Sequence, residues 1–265
     1  MNKDRNDKIR HAVERQHQYP LLFATIAGSH GFGIASPHSD FDIHGAHLLP
    51  LRQQLGFDSD SHTTIEIKTQ LSDNTELDVM THDLKKLLLL MLKGNGNALE
   101  DLYSPLIVHT SPLHEELKLA GKGCITKLCA LHYKGIAFNQ QRRMLENSVK
   151  TLIHLYRCLL MGIHLMRSGQ LLMDLPQLAR EYDQPQLLRI IEYKHRGVAG
   201  IDDTEIIEHM TIVEQLTQRL NQEREQSQLP ERTSPDTRQR LEDLLVSARL
   251  QDEMQKKISW EKSKS

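Results

Sequence analysis

The sequence predicts an α+β protein with a mixed α/β half in residues 1–110 and an all-helical half in residues 111–265. Two observations predict this division. Segments in which apolar and polar residues alternate, as they do in half-buried strands, occur only before about Val108. The rest of the chain contains leucine-rich segments with helical periodicity instead. These segments lie near residues 113–132, 134–168, 184–194, 202–226 and 236–257.

The composition is that of an ordinary globular protein. Its 265 residues include 38% hydrophobic and 26% charged residues, and the formal net charge is −2. This charge does not indicate a broad nucleic-acid-binding surface. The longest apolar run, residues 87–92, is too short to span a membrane, and the charged N-terminus does not resemble a secretory signal. We therefore expect a cytoplasmic protein with no membrane partner, in which the three cysteines are reduced and buried.

The N-terminal half is predicted to begin with a helix over residues 3–17 and to continue with four strands. The strands are expected at residues 21–27, 40–49, 63–71 and 76–80. The last two form a hairpin, because Asp73 and Asn74 between them are typical turn residues. Thr81 is suited to cap the helix that follows, and Gly94 is placed to end it.

A Gly-Ser pair follows the first buried strand and is the first candidate for a binding site. Gly28 allows a tight backbone turn and lets a ligand approach the main chain closely. The N–H groups of such a turn can cradle phosphate oxygens, and the Ser29 hydroxyl can donate to the same oxygens. The loop over residues 30–39 then leads to the next strand.

Two carboxylates on that next strand are the second candidate. Asp40 and Asp42 are two residues apart, so their side chains leave the same face. Adjacent carboxylates repel each other, and a bound cation relieves the repulsion. Oxygen ligands favour Mg²⁺, with Mn²⁺ as the alternative, and phosphate oxygens can complete the coordination.

A third carboxylate would complete a site for two metal ions. Asp78 is the first candidate, because it lies on a strand between apolar neighbours and can also help to deprotonate an attacking hydroxyl. Glu76 is the alternative, and Glu66 is a weaker one. An Asp-x-Asp pair alone is commonly a solvated strand face. Its combination with a Gly-Ser turn and a later strand aspartate favours phosphoryl or nucleotidyl transfer.

The helical half contains candidate cationic ligands for a triphosphate. Lys150, His154 and Arg157 have the spacing i, i+4 and i+7 and therefore share one helix face. Lys150 and Arg157 on this face can clamp a triphosphate and neutralise charge on leaving pyrophosphate. The alternative is a solvated stripe on an amphipathic helix.

These motifs resemble the signature of the DNA polymerase β-like nucleotidyltransferase superfamily and, more narrowly, the RNA repair pathway DNA polymerase β family. The resemblance covers roughly residues 20–175. It is carried by GSHGFGIA at residues 28–35, SDFDI at 39–43, LDV at 77–79 and GNGNALE at 94–100. The sequence departs from the expected pattern at His44, where a basic residue is expected, and at Gly96, where proline is expected.

The resemblance implies a small mixed sheet flanked by helices and followed by a helical domain. It implies that Asp40 and Asp42 bind two Mg²⁺ ions, that Asp78 binds one of them, and that Gly28 and Ser29 hold the β- and γ-phosphates of a nucleotide. The implied activity is transfer of a nucleoside monophosphate from an NTP, with ATP as the first choice, to an acceptor hydroxyl.

The acceptor is open at this stage. The family name suggests an RNA 3′ end, such as that of a damaged or cleaved tRNA. A protein hydroxyl is the alternative acceptor, as in the AMPylation carried out by toxin–antitoxin or defence systems, and the near-neutral net charge favours it slightly. A non-catalytic nucleotide-binding module is a further alternative. Base preference, the number of nucleotides added and the oligomeric state are not determined by the sequence.

Overall fold

The computed structural model describes residues 3–57, 61–142 and 148–262. The strands are β1 (Leu21–Ile26), β2 (Phe41–His47), β3 (Thr64–Gln70), β4 (Glu76–Asp83) and β5 (Ile107–His109). The helices that precede or interrupt the strands are α1 (Lys3–Gln16), α2 (Gly28–Gly31), α3 (Leu51–Leu55), α4 (Leu84–Leu92) and α5 (Gly96–Tyr103). The later helices are α6 (Pro112–Gly121), α7 (Leu128–Gln141), α8 (Val149–Ser168), α9 (Leu175–Glu181), α10 (Pro185–His195), α11 (Asp203–Gln226) and α12 (Pro235–Lys262).

The five strands form one mixed sheet in the order β3-β4-β2-β1-β5. Strands β2 and β4 are parallel neighbours, whereas the other adjacent pairs are antiparallel. Because the crossover from β2 to β4 passes through the edge strand β3, the sheet brings two chain segments about 35 residues apart into register, with Asp42 opposite Asp78. The predicted α+β class, with its mixed sheet and helical C-terminal region, is confirmed.

The predicted start of the helix after β4 was wrong by two residues. Thr81 is paired in the sheet, opposite both Gly45 and Ile65, and its side chain is fully buried. Asp83 is the N-cap instead, since its carboxylate accepts a hydrogen bond from the backbone N–H of Lys85. Because β4 pairs with two neighbouring strands, it continues past Thr81, the residue that the sequence predicts as the helix cap.

The long helical segments predicted in the C-terminal half are more divided in the structure. The segment near 113–132 contains α6 and the beginning of α7, separated by a turn of 3₁₀ helix at Lys122–Cys124. The segment near 134–168 includes positions 143–147, which lie outside the described residues. Helix α8 begins anew at Val149, with the Ser148 hydroxyl accepting from the Thr151 N–H.

Two hydrophobic clusters cover the two faces of the sheet. On one face, Ile9 and Val13 of α1 pack with strand residues that include Ile43 and Val79. On the other face, the core extends from β1 and β2 through α4 and α5 into helices α6 to α11. This second core is continuous across residue 110, where the sequence places a domain boundary, and that boundary stays a prediction.

Two further expectations concern cysteines and membranes. Cys124, Cys129 and Cys158 are buried and carry free thiols, and burial raises the pKa of each of them. Within the described ranges, every helix falls short of the combination of length and apolarity that crossing a bilayer needs.

The last helix, α12, is joined to the sheet by a buried ion pair. Arg249 Nη2 donates to both carboxylate oxygens of Asp83, at 2.6 and 2.7 Å, and Nη1 donates to the carbonyl of Leu49. Arg249 is 6% exposed and Asp83 is 1% exposed. One guanidinium therefore connects the C-terminal helix to the end of β4 and to the loop after β2.

We expect Arg249→Met to lower the free energy of unfolding by about 3 kcal/mol, because it leaves the buried Asp83 carboxylate without its charged partner. Urea unfolding followed by circular dichroism measures the change. Arg240→Met is the matched control, since Arg240 is an exposed arginine of the same helix. Equal effects of the two substitutions would show that the ion pair contributes no more than surface charge does.

A buried histidine lies where β2 and β4 meet the loop after β2. His47 Nε2 donates to the carbonyl of His62 at 3.0 Å, so Nδ1 is the acceptor for the Thr81 hydroxyl at 2.8 Å. Both hydrogen bonds suit the neutral ring. Burial, assisted by the nearby His17, lowers the pKa of His47 to about 4.

The stability of the protein is expected to decrease as the pH falls from about 6.5 to about 4, because the unfolded chain takes up a proton at His47 before the folded protein does. Urea unfolding at pH 7.5, 6 and 5 measures this dependence. We expect His47→Asn, whose amide oxygen can still accept from Thr81, to show a shallower pH dependence than the wild type. An unchanged slope would mean that other groups account for the loss.

Candidate active site

The three predicted carboxylates meet at one end of the paired strands β2 and β4. Asp40 immediately precedes β2, Asp42 lies on β2, and Asp78 lies opposite Asp42 on β4. One carboxylate oxygen of each residue lies within 4.8 Å of the corresponding oxygens of the other two. Two-residue alternation along β2 and in-register pairing with β4 together produce this cluster.

The geometry favours Asp78 over the alternatives as the third carboxylate. Glu76 is exposed and accepts a hydrogen bond from Gln70 at 3.4 Å, and it is not part of the cluster. Glu66 is exposed on β3, at the position opposite Met80. Of the three candidates, Asp78 is therefore the one whose carboxylate shares a cation-sized space with Asp40 and Asp42.

The cluster concentrates negative charge in a partly desolvated place. Burial raises the pKa of Asp42, and the Asp40 and Asp78 carboxylates raise it further. Lys68 Nζ lies 2.9 Å from Asp78 Oδ2 and compensates some of this charge from the neighbouring strand. The remaining oxygens form a hard, oxygen-only donor set of the kind that Mg²⁺ and Mn²⁺ prefer.

Gly28 is in direct contact with the carboxylate cluster. Its φ angle is +56°, and a Cβ atom at this position would lie 1.7 Å from Asp42 Oδ2. Any side chain would therefore displace the carboxylate as well as strain the backbone. The Gly-Ser pair opens the short turn α2, and the backbone N–H of Ala27 donates to the Asp42 carbonyl at 2.9 Å. The predicted phosphate turn and the predicted metal ligands thus form one unit.

Ser29 and Lys150 lie together on one side of the cluster. Both line an open pocket of about 700 Å³ that also includes Asp40 and Lys194. Lys150 is exposed at the start of α8, as a phosphate ligand needs to be. This placement agrees with the predicted roles of Ser29 and Lys150 as nucleotide ligands, and those roles stay predictions.

Lys194 of α10 was missed by the sequence reasoning. Its Nζ donates to the carbonyl of Ile34 at 2.9 Å and to the Ser39 hydroxyl at 3.5 Å. It therefore holds the loop that connects the Gly-Ser turn to Asp40. Burial lowers the pKa of Lys194, whereas the nearby Asp40 carboxylate raises it. No local motif marks this lysine, because its partners lie far away in the sequence.

Arg157 is not brought to the same pocket as Lys150, although both lie on α8. Arg157 is 5% exposed, and its Nη1 lies 2.8 Å from Glu100 Oε2. The other oxygen of Glu100 accepts from the Tyr133 hydroxyl at 2.7 Å. The guanidinium also lies over the ring of Phe32, 4.6 Å from its centroid, next to the Gly-Ser turn. A direct role for Arg157 in binding phosphate stays a prediction, and its observed contacts are those of a positioning residue.

His44 occupies the position where the resemblance leads one to expect a basic residue. It lies two residues after Asp42 and on the same strand face, with Nδ1 2.9 Å from Asp101 Oδ1. Burial alone would lower the pKa of His44, but the charge and hydrogen bond of Asp101 outweigh burial and raise it. Asp101 was also missed, although it directly follows the motif that ends at Glu100.

We expect the carboxylate cluster to bind divalent cations, and Asp78→Asn to weaken Mn²⁺ binding by at least about tenfold, since it removes a ligand. Isothermal titration calorimetry with MnCl₂ measures the affinity. Glu76→Gln is the matched control, because it removes the same charge from the same strand outside the cluster; we expect a change of about twofold at most. The reverse order of effects would identify Glu76 as the ligand.

Comparison with known proteins identifies the family of the chain. Residues 1–247 match the family described as the RNA repair pathway DNA polymerase beta family. An uncharacterized protein of Methanocaldococcus jannaschii is 31% identical over 156 residues, which are 58% of this chain and 63% of that relative. The chain thus covers less than two thirds of the relative's length. The family match includes all of the candidate site residues, and the chain belongs to the RNA repair pathway DNA polymerase β family, whose relationship to polymerase β suggests nucleotidyl transfer.

Proposed function

We propose that the protein is a Mg²⁺-dependent nucleotidyltransferase that transfers a nucleoside monophosphate from an NTP, with ATP as the first choice, to an acceptor hydroxyl. The observation that carries this proposal is the contact between two predicted units. Asp40, Asp42 and Asp78 lie within 4.8 Å of one another, and Gly28 of the Gly-Ser turn touches Asp42. A triphosphate cradle directly beside a carboxylate cluster is the arrangement that this chemistry requires.

The residues divide the work of an in-line displacement. Asp40 and Asp42 would hold two Mg²⁺ ions and Asp78 one of them; when bound, these ions neutralise phosphate charge and lower the pKa of the attacking hydroxyl. Gly28 and Ser29 orient the β- and γ-phosphates. A bond forms between the acceptor oxygen and the α-phosphorus, and the bond from that phosphorus to pyrophosphate breaks.

Two further roles concern the transferred proton and the charge on the leaving pyrophosphate. Asp78 would accept the proton that the acceptor hydroxyl loses. Lys150 lines the same pocket as Ser29 and can neutralise the charge that develops on pyrophosphate. The cytoplasmic location expected from the sequence suits the free thiols of the chain and forms part of this proposal.

The proposed acceptor is an RNA 3′ end, such as that of a cleaved tRNA. This choice of acceptor rests on the name of the family. Protein AMPylation is the second candidate. The formal net charge of −2 favours it, because a general RNA-binding surface is usually basic.

Transfer is expected when the protein is incubated with α-³²P-labelled NTPs, Mg²⁺ and RNA that has a free 3′ hydroxyl. We expect the double variant Asp40→Asn, Asp42→Asn to reduce incorporation at least about 100-fold, because the phosphate charge is no longer neutralised. Glu66→Gln is the control, as Glu66 is an exposed carboxylate outside the cluster. The same RNA with a periodate-oxidised end should take up no label.

The same experiment separates the candidate functions. Cell lysate protein is added in a parallel reaction, and label in protein without label in RNA would exclude the RNA acceptor. If the wild-type protein releases no pyrophosphate with any of the four NTPs and either acceptor, the enzymatic proposal is wrong and the nucleotide-binding alternative is retained.

A further inference from the structure

Strand β3 forms one edge of the sheet. Within the described ranges it pairs with β4 alone, and no other described element packs extensively against it. Helix α1 has its main contacts with β5, at the opposite edge. An open strand edge is a ready template for pairing with another strand. We propose that β3 pairs with β3 of a second copy of this chain about a two-fold axis, so that the two five-stranded sheets join edge to edge.

The backbone hydrogen bonds at the two ends of β3 determine which of its residues point outwards. The carbonyl of Thr63 accepts from the Asp83 N–H at 2.9 Å, and the Leu71 N–H donates to the carbonyl of Thr75 at 2.9 Å. Successive residues of a strand direct their N–H and C=O groups to alternate sides, so the odd-numbered residues bond to β4. The outward N–H and C=O groups belong to the even-numbered residues, namely Thr64, Glu66, Lys68 and Gln70.

The charges on β3 select one antiparallel register for the two copies. When Ile67 lies opposite Ile67 of the second copy, Glu66 lies opposite Lys68 and Lys68 lies opposite Glu66. The overlap then includes the whole of β3, Thr64–Gln70. A shift by two residues is the smallest one that keeps the hydrogen-bond pattern, and it puts either two Glu66 or two Lys68 side chains opposite each other. Like charges directly opposite each other are destabilising, so both neighbouring registers are disfavoured.

The selected register also suits the backbone and the apolar side chains. Each opposed pair of outward residues exchanges two N–H···O bonds, which gives about eight bonds between the copies. This is close to the number of direct hydrogen bonds in an ordinary protein interface, about ten. Ile67 is half-buried and packs against the core under α1. On the two-fold axis it would meet its own copy at a position without backbone hydrogen bonds, where opposed side chains are closest.

Charged residues on an edge strand commonly prevent pairing, but the charges on β3 have a different distribution. They are of opposite sign and two residues apart, so they complement themselves across a two-fold axis. Glu66 is exposed, and none of the described residues forms an ion pair with it. Lys68, which contacts Asp78 at 2.9 Å, would gain Glu66 of the second copy as another carboxylate partner. The second copy thus contributes a charged group at the border of the carboxylate cluster.

A symmetric disulfide tests the register directly. Ile67→Cys puts the new thiol on the two-fold axis, where opposite Cα atoms are about 4.5 Å apart and a disulfide can form. We expect this variant to become mainly a covalent dimer on non-reducing gels after oxidation with copper phenanthroline. Thr69→Cys is the matched control, because Thr69 is also half-buried on this strand face but would lie about 14 Å from its own copy. The wild type, whose cysteines are buried, is oxidised in parallel.

Sedimentation velocity measures the non-covalent dimer and the contribution of the charges. Glu66→Lys makes both opposed charge pairs repulsive, and we expect it to weaken dimerisation at least about tenfold. Adding Lys68→Glu to this variant makes the pairs attractive again with their signs exchanged, and it should restore the dimer. Glu76→Lys makes the same charge change on β4, away from the edge, and should leave the dimer unchanged.

Three results would overturn the inference. One is a wild type that stays monomeric at about 100 µM, where even weak dimers are populated. Another is a dimer that Glu66→Lys does not weaken, and the third is equal crosslinking of the Ile67→Cys and Thr69→Cys variants. Circular dichroism confirms that each variant is folded, and the charge variants decide the question if Ile67→Cys does not fold. Each carboxylate cluster lies within one chain and the measurements use neither NTP nor acceptor, so their failure would leave the proposed function in place.

Discussion

The parallel pairing of β2 with β4 is the constraint on which the rest of the site depends. It puts Asp42 opposite Asp78 and His44 opposite Met80. These four side chains share one face of the sheet, and His44 and Met80 line a cavity beside the carboxylates. A shift of β4 by one residue in this register would turn Asp78 and Met80 to the α1 side of the sheet, away from Asp42 and His44. The apolar residues that alternate with them, such as Ile43 and Val79, are buried on that side and make such a shift unfavourable. The hydrophobic core therefore holds three mutually repelling carboxylates together.

The helical half completes the site through buried charges. Arg157 of α8 reaches Glu100 of α5 and the ring of Phe32 beside the Gly-Ser turn. Desolvating a guanidinium is unfavourable unless it is well paired, and here a carboxylate and an aromatic face both contact it. Residues 94–100, which distinguish the narrower family in the sequence, thus supply a carboxylate that fixes the helical half against the phosphate turn. This arrangement makes the position of Gly28 depend on helices that begin more than a hundred residues later.

Sequence reasoning found those parts of the site that follow from local periodicity. Alternation along β2 predicted the shared face of Asp40 and Asp42, and a turn at Asp73 and Asn74 predicted the hairpin that carries Asp78. The hairpin register also places Lys68 opposite Asp78, so this ion pair was available from the sequence and was overlooked. Lys194 was not available in this way. Its contacts with Ile34 and Ser39 depend on how the helices pack, and no spacing within the chain encodes that packing.

The ion pair between Lys68 and Asp78 bears on how readily the cluster accepts a cation. The Lys68 side chain is 84% exposed, so water screens its attraction to Asp78 and the pair contributes little to stability. Burial raises the pKa of Asp42, and the neighbouring Asp40 and Asp78 carboxylates raise it further, so the carboxylates still repel one another with Lys68 in place. A divalent cation would lie among all three carboxylates, whereas Lys68 contacts Asp78 from outside them. A bound ion would therefore replace only the weak surface contact of Lys68, and it would relieve the repulsion among the three carboxylates. For that reason the free energy of cation binding is expected to come mainly from the carboxylates themselves.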